Sequence, residues 1–110
     1  MIKIKKFTFN SMPKLEENND MIGHLLKCPI CGEDYLHHEC VETFSREDDA
    51  TTGLHVSVEK LSVSTDNNVS ANPSPRRDGV KIRFWCELCR GKPTLEIIQH
   101  KGCTYMSWCE

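Results

Sequence analysis

Val80-Lys81-Ile82-Arg83-Phe84-Trp85-Cys86-Glu87-Leu88-Cys89 joins two patterns in ten residues. Val80, Ile82 and Phe84 alternate with Lys81, Arg83 and Trp85, the period-two signature of a strand with one apolar side. That strand runs without a break into a C-x-x-C pair. A second pair lies upstream, in Cys28-Pro29-Ile30-Cys31-Gly32, with 54 residues between the two. Each pair can clamp one edge of a tetrahedral ion, and two pairs complete a four-thiolate set. The gap exceeds the usual 15 to 20 or so residues. An insert of hairpins that leaves and returns to the same place removes that difficulty.

The local chemistry agrees. Pro29 fixes φ in the first turn, and Gly32 tolerates the positive φ expected after the second ligand. In Cys86-Glu87-Leu88-Cys89-Arg90-Gly91 the glycine comes one position later, so the second turn is less well specified. No βαβ pattern surrounds either pair, which argues against a thioredoxin-like redox role. The chain holds seven cysteines, an odd number that fits a full disulfide framework poorly. MIKIKKFTFN has neither an uninterrupted apolar h-region nor a small-residue cleavage site. A reducing, cytoplasmic setting is expected, with zinc as the ion and Cys28, Cys31, Cys86 and Cys89 as its ligands.

Outward from the pairs, the expected fold is all-β: a small antiparallel sheet of hairpins stapled by one metal. Residues 2–9 alternate imperfectly and predict an edge strand, and residues 10–20 a linker, together an N-terminal arm over 1–20. Residues 21–110 form a single domain. A strand is expected over Tyr35–Phe44 and a second over Leu54–Val58, extended by Leu61 and Val63. The loop 64–79 follows, rich in Ser, Asn, Pro and Gly. Thr94–Gln99, a tight turn at His100-Lys101-Gly102 and Cys103–Trp108 complete the sheet. At 110 residues and 38% hydrophobic content, the chain is poor in core and needs such a staple. No stretch approaches the 18 or so apolar residues of a membrane span.

These residues resemble the zinc-ribbon superfamily, in which two C-x-x-C knuckles sit on β-hairpins and the first reads CPxCG, as Cys28–Gly32 does. More narrowly, the chain is similar to small zinc-ribbon proteins carried by bacteria and their phages. The resembling features are CPICG followed by Leu36-His37-His38, the loop Asn72–Gly79, Phe84–Cys89 and Gln99–Gly102. The resemblance spans roughly residues 27–108, and it implies zinc and an all-β fold but no activity. Zinc ribbons serve both nucleic-acid machinery and protein adaptors, so fold alone does not choose between them.

Three further sets of residues bear on function. His38 and Cys40, two apart on a strand, share a face and offer a second metal site; the plainer alternative is a bonded histidine and a small buried thiol. Pro73-Ser74-Pro75-Arg76-Arg77-Asp78 is a stiffened cationic tip that can fork onto carboxylate or phosphate. Its plainer alternative is pairing of the arginines with the acidic run at 47–49. Lys81 and Arg83 extend this surface, while Trp85 is expected in the core beside the metal. The net charge is −2, and four thiolates around a dication make it more negative still. A closed four-thiolate site has no open coordination position, so no enzyme is expected. The expected function is a non-catalytic module that binds a protein through the 72–79 loop and one sheet face; binding to nucleic acid is the alternative, and a metal-dependent enzyme at the second site a third reading.

Overall fold

The computed structural model describes residues 15–16 and 23–109. Two short strands, β1 (Leu15–Glu16) and β2 (Leu25–Leu26), pair antiparallel as a ribbon. Six more form one antiparallel sheet: β3 (Leu36–Ser45), β4 (Thr52–Glu59), β5 (Ser62–Asn68), β6 (Gly79–Cys86), β7 (Thr94–His100) and β8 (Cys103–Cys109). Their order is β5-β4-β3-β6-β7-β8, and no helix occurs among the described residues. The expected all-β fold of hairpins is what the chain adopts. The edge strand expected over 2–9 and most of the 10–20 linker lie outside the described residues.

Alternation sets the two faces of the sheet. Val63, Val58, Val41, Ile82, Leu95 and Trp108 stand opposite one another in one row across all six strands. A second row on the same side reads Thr65, Val56, Thr43, Val80, Ile97 and Met106. This is the apolar face. The polar face carries Glu42, Glu59, Asp66, Lys81, Arg83 and Glu96. Among the described residues the hydrophobic cluster is small: Phe84, Leu95 and Trp108, with Leu26, Leu36 and Ile82 packed against it, while Phe44, Val69, Cys28, Cys40, Cys86 and Cys109 are buried elsewhere. Leu26 brings the β1–β2 ribbon onto one end of the apolar face.

Three expectations need correction. The run from Leu54 to Val63 is a hairpin and not one strand: Lys60 and Leu61 take φ of 51° and 67°, the left-handed geometry of a two-residue turn. The turn residues are neither Gly nor Asn, so composition hid it. The long loop is shorter than 64–79, because Ser62–Asn68 pairs with β4 along its length. Polar residues suffice there, since β5 is a fully exposed edge. Finally, Trp85 lies outside the core. It is half-buried on the polar face and stacks on His37, with ring centroids 4.6 Å apart.

The remaining loop is locked in place. Asn72 donates Nδ2–H to the Arg77 carbonyl at 2.7 Å and accepts the Ser74 N–H at 2.9 Å. Ser74 is buried; its Oγ accepts the Gln99 N–H at 2.8 Å and donates to the Asp78 carbonyl. Arg46 donates to the Ser74 and Ala50 carbonyls. On the polar face, His55 stacks flat on buried Phe44 and sits between Glu42 (2.9 Å) and Asp66 (3.1 Å). Burial disfavours its imidazolium, but the two carboxylates outweigh that and raise its pKa.

The loop's seat is read most directly at Gly79. A Cβ there would stand 2.2 Å from Asn72 Oδ1 and 3.0 Å from Pro73 Cδ. Gly79→Ala therefore has to displace the loop, and a loss of about 2–4 kcal/mol in urea-unfolding stability is expected. An alanine variant as stable as the parent would mean that the loop is not packed in this way.

Candidate functional site

The two C-x-x-C pairs meet at the end of the sheet where Leu36 stands opposite Cys86. All four sulfurs lie within 4.8 Å of one another. Cys28 Sγ is 3.8 Å from Cys89 Sγ, and Cys31 Sγ is 3.6 Å from Cys86 Sγ. A tetrahedral ion with metal–sulfur bonds of about 2.3 Å requires sulfur–sulfur edges of about 3.8 Å. A disulfide would need about 2.05 Å, and every cysteine is a free thiol. The cluster is therefore a site that can hold a metal ion.

Two equivalent turns build it. In the first, the Gly32 N–H donates to the Cys28 carbonyl (2.8 Å) and the Cys28 N–H to the Glu33 carbonyl (2.9 Å). In the second, the Arg90 N–H donates to the Cys86 carbonyl and the Cys86 N–H to the Gly91 carbonyl, both at 3.0 Å. The same two bonds recur at the same offsets. Backbone N–H groups also reach sulfur at 3.4 Å, from Ile30 to Cys28 and from Gly91 to Cys89, supporting the thiolates. The turns differ at the left-handed residue: Gly32 has φ 81° and Arg90 has φ 64°. The second knuckle thus makes its turn with Arg90, one residue before the glycine.

The four sulfurs are electrostatically unlike. A backbone N–H from Cys89, opposed by burial, draws the Cys86 thiol down to about 7. At Cys31 the Glu33 N–H favours the thiolate, but desolvation and the three neighbouring thiols prevail and push it up to about 12. Burial raises Cys28. Without an ion the cluster holds on to protons, and a bound cation has to displace them.

The other sequence-derived candidates come out differently. His38 and Cys40 do not share a face. A β-bulge at Glu39 shifts the register, so His38 stands opposite Phe84 on the apolar face and Cys40 opposite Arg83 on the polar one. The second metal site is withdrawn on that geometry, and the four-cysteine cluster is the metal-binding group found among the described residues. Cys40 is buried with its sulfur 3.6 Å from Ser57 Oγ. Cys109, also buried, donates to Glu96 at 3.2 Å, and Cys103 is exposed.

The cationic residues are largely engaged. Arg76 forks onto Asp49 at 2.8 and 2.9 Å, and Arg77 stands 3.7 Å from Asp48. Asp78 accepts the Arg46 N–H, and Arg83 bridges Glu39 (2.7 Å) and Glu59 (2.9 Å). Lys81 stands between Glu42 and Glu96 in the ladder. An open cavity of about 550 Å³ lies beside the loop, and its lining mixes signs: Asp48 and Asp78 against Arg76, Arg77 and Lys101. Sequence reasoning missed the Glu39–Arg83–Glu59 network and the His55 sandwich, both of which depend on cross-strand register.

The described residues define an all-β protein with a four-cysteine cluster that can hold a metal ion. Comparison with protein-family models, with curated proteins and with solved structures found no match. No helix among the described residues is long and apolar enough to cross a membrane.

Two outcomes are expected at this site. Arg90→Gly should relieve a left-handed residue and stabilise the metal-loaded chain by about 1 kcal/mol, seen as a higher thermal midpoint. Metal loading near pH 7 should release at least two protons, those of Cys28 and Cys31. Apparent affinity should then fall about a hundredfold or more for each unit of pH lowered. Calorimetry in buffers of different ionisation enthalpy counts the protons.

Proposed function

We propose that the chain is a zinc-binding, non-catalytic module of the zinc-ribbon type that acts by binding another protein through the 72–79 loop and the apolar sheet face. Four thiols at tetrahedral spacing suit zinc, and a full thiolate set leaves no position for a reacting ligand. The ion matters for stability. The hydrophobic cluster of Phe84, Leu95 and Trp108 is small, and Phe44 and Val69 are buried apart from it, so a structural zinc, worth about 10–16 kcal/mol in small zinc peptides, is a large addition.

One observation carries the choice of partner: Leu54, Val58, Val63 and Met106 are exposed together on a face without a single Asp, Glu, Lys or Arg in β3–β8. Leu54 and Val58 are each 49% exposed and Val63 65%. A nucleic-acid surface needs free cations, whereas Arg76 and Arg83 are held by carboxylates. An uncharged patch rimmed by polar loops suits a protein. Leu61, fully exposed in a left-handed conformation at the β4–β5 tip, adds apolar surface beside it.

The test has two parts. Native mass spectrometry should find one zinc per chain, lost in Cys86→Ser together with the folded state. The zinc-loaded chain should retain a protein from a cell lysate after nuclease treatment, and with little change when salt is raised. Retention lost with nuclease would put nucleic acid in its place.

A further inference from the structure

The apolar face is an unfinished layer. Strands bury one side against a second layer, and a sheet with one solvated side keeps its apolar side covered. Here the charge pattern shows which side the sequence prepares for burial. Every charged residue of β3–β8 belongs to the polar face, including Glu39, which the bulge turns toward Arg83 and Lys92. The other side offers two rows of Val, Ile, Leu, Trp, Met and Thr. Among the described residues, Leu26 and Leu36 pack at the Phe84–Trp108 end. Toward β4 and β5 the rows stay open at Leu54, Val58 and Val63, and Met106 is exposed on β8.

We infer that this face is a dimerisation surface, and that its occupant is a second copy of the same chain, related by a two-fold axis and packed sheet on sheet. The inference rests on the protein-binding reading above and names the partner for the sheet face. Two features favour a copy of itself. A flat sheet face is complementary to another sheet face, with about 10 Å between layers and strands crossing at about 30°. An uncharged surface also brings no like charges together when doubled, which a chain of net charge −2 otherwise risks.

The area is sufficient. Six strands at about 4.8 Å spacing and seven residues at about 3.3 Å make a face of about 29 by 23 Å. Setting aside the end under Leu26 leaves about 500 Å² per copy, so a pair buries about 1,000 Å², the threshold for a stable interface. A dimer of micromolar affinity is expected from such a patch.

The experiment is sedimentation equilibrium of the full, zinc-loaded chain from 1 to about 300 µM, with thermal unfolding alongside. Val58→Glu and Val63→Glu place a carboxylate at a half-exposed point of the open rows, and the two-fold axis doubles it. Ser64→Glu, on the polar face of β5, is the control. The expected result is a dimer in the parent and in Ser64→Glu, and a dissociation constant raised about a hundredfold or more in both valine variants. A dimer that Val58→Glu leaves intact would place the interface elsewhere and overturn the proposal. A parent that stays monomeric throughout also overturns it, and two readouts then separate the causes. If Val58→Glu lowers the thermal midpoint of the monomer by several degrees, the face is covered within the chain itself, and its use for binding falls as well. If the midpoint is unchanged but a protein retained from lysate is lost, the partner is a different protein and the broader reading stands.

Discussion

Four sulfurs within 4.8 Å of one another are the constraint on which the rest of the architecture depends. They join the turn before β3 to the turn between β6 and β7, elements far apart in sequence. The buried cluster nearby is only Phe84, Leu95 and Trp108, too small to hold that junction without help. Mutual repulsion of thiolates and their desolvation make the empty cluster retain protons, as Cys31 at about 12 and the raised Cys28 indicate. A cation turns that cost into cohesion, because each sulfur then sees a positive centre at the middle of the tetrahedron.

How much of this could be read in the residues depended on the range of the interaction. The two knuckles, the alternation of Val80–Trp85 and the hairpin at Lys101-Gly102 are local patterns, and each was legible. The Lys60-Leu61 turn was not, since neither residue advertises a positive φ. The polar edge strand Ser62–Asn68 resembled a loop because an exposed edge needs no apolar side chains. The bulge at Glu39 was the costliest omission. One extra residue reversed the facing of His38 relative to Cys40, and nothing in Leu36–Ser45 signals it. The candidate metal ligands were fully legible, and the pairing of Arg76 with the 47–49 run was one of two readings the sequence offered, whereas the carboxylates that engage Arg83 emerge only with the fold.

The charge distribution acquires a structural meaning as well. In sequence it is an acidic stretch before the long loop and a basic one after it. In the sheet the two interleave on one face, as Arg83 between Glu39 and Glu59 and Lys81 between Glu42 and Glu96, while Arg76 meets Asp49 between the connecting segments. Exposed pairs of this kind contribute little stability individually. Their larger effect is segregation: collecting the charges of β3–β8 on one side leaves the opposite side of the sheet able to lose its water.

The ladder pairing Phe44 with Gly79 gives the long separation between the knuckles a simple geometry. Between those neighbours the chain departs through β4, β5 and the docked loop, then returns to the strand adjoining the one it left. The excursion is closed at its base by the β3–β6 ladder, with the Arg46 N–H on Asp78 and the Gln99 N–H on Ser74 beside it, so the positions of the sulfurs depend on that closure and not on the number of residues within the excursion. The described residues form in this sense a thiol-clasped frame bearing a lateral branch. The frame sets where the thiols stand, and the far tip of the branch, the β4–β5 turn at Lys60-Leu61, lies beyond the contacts that hold it to the frame.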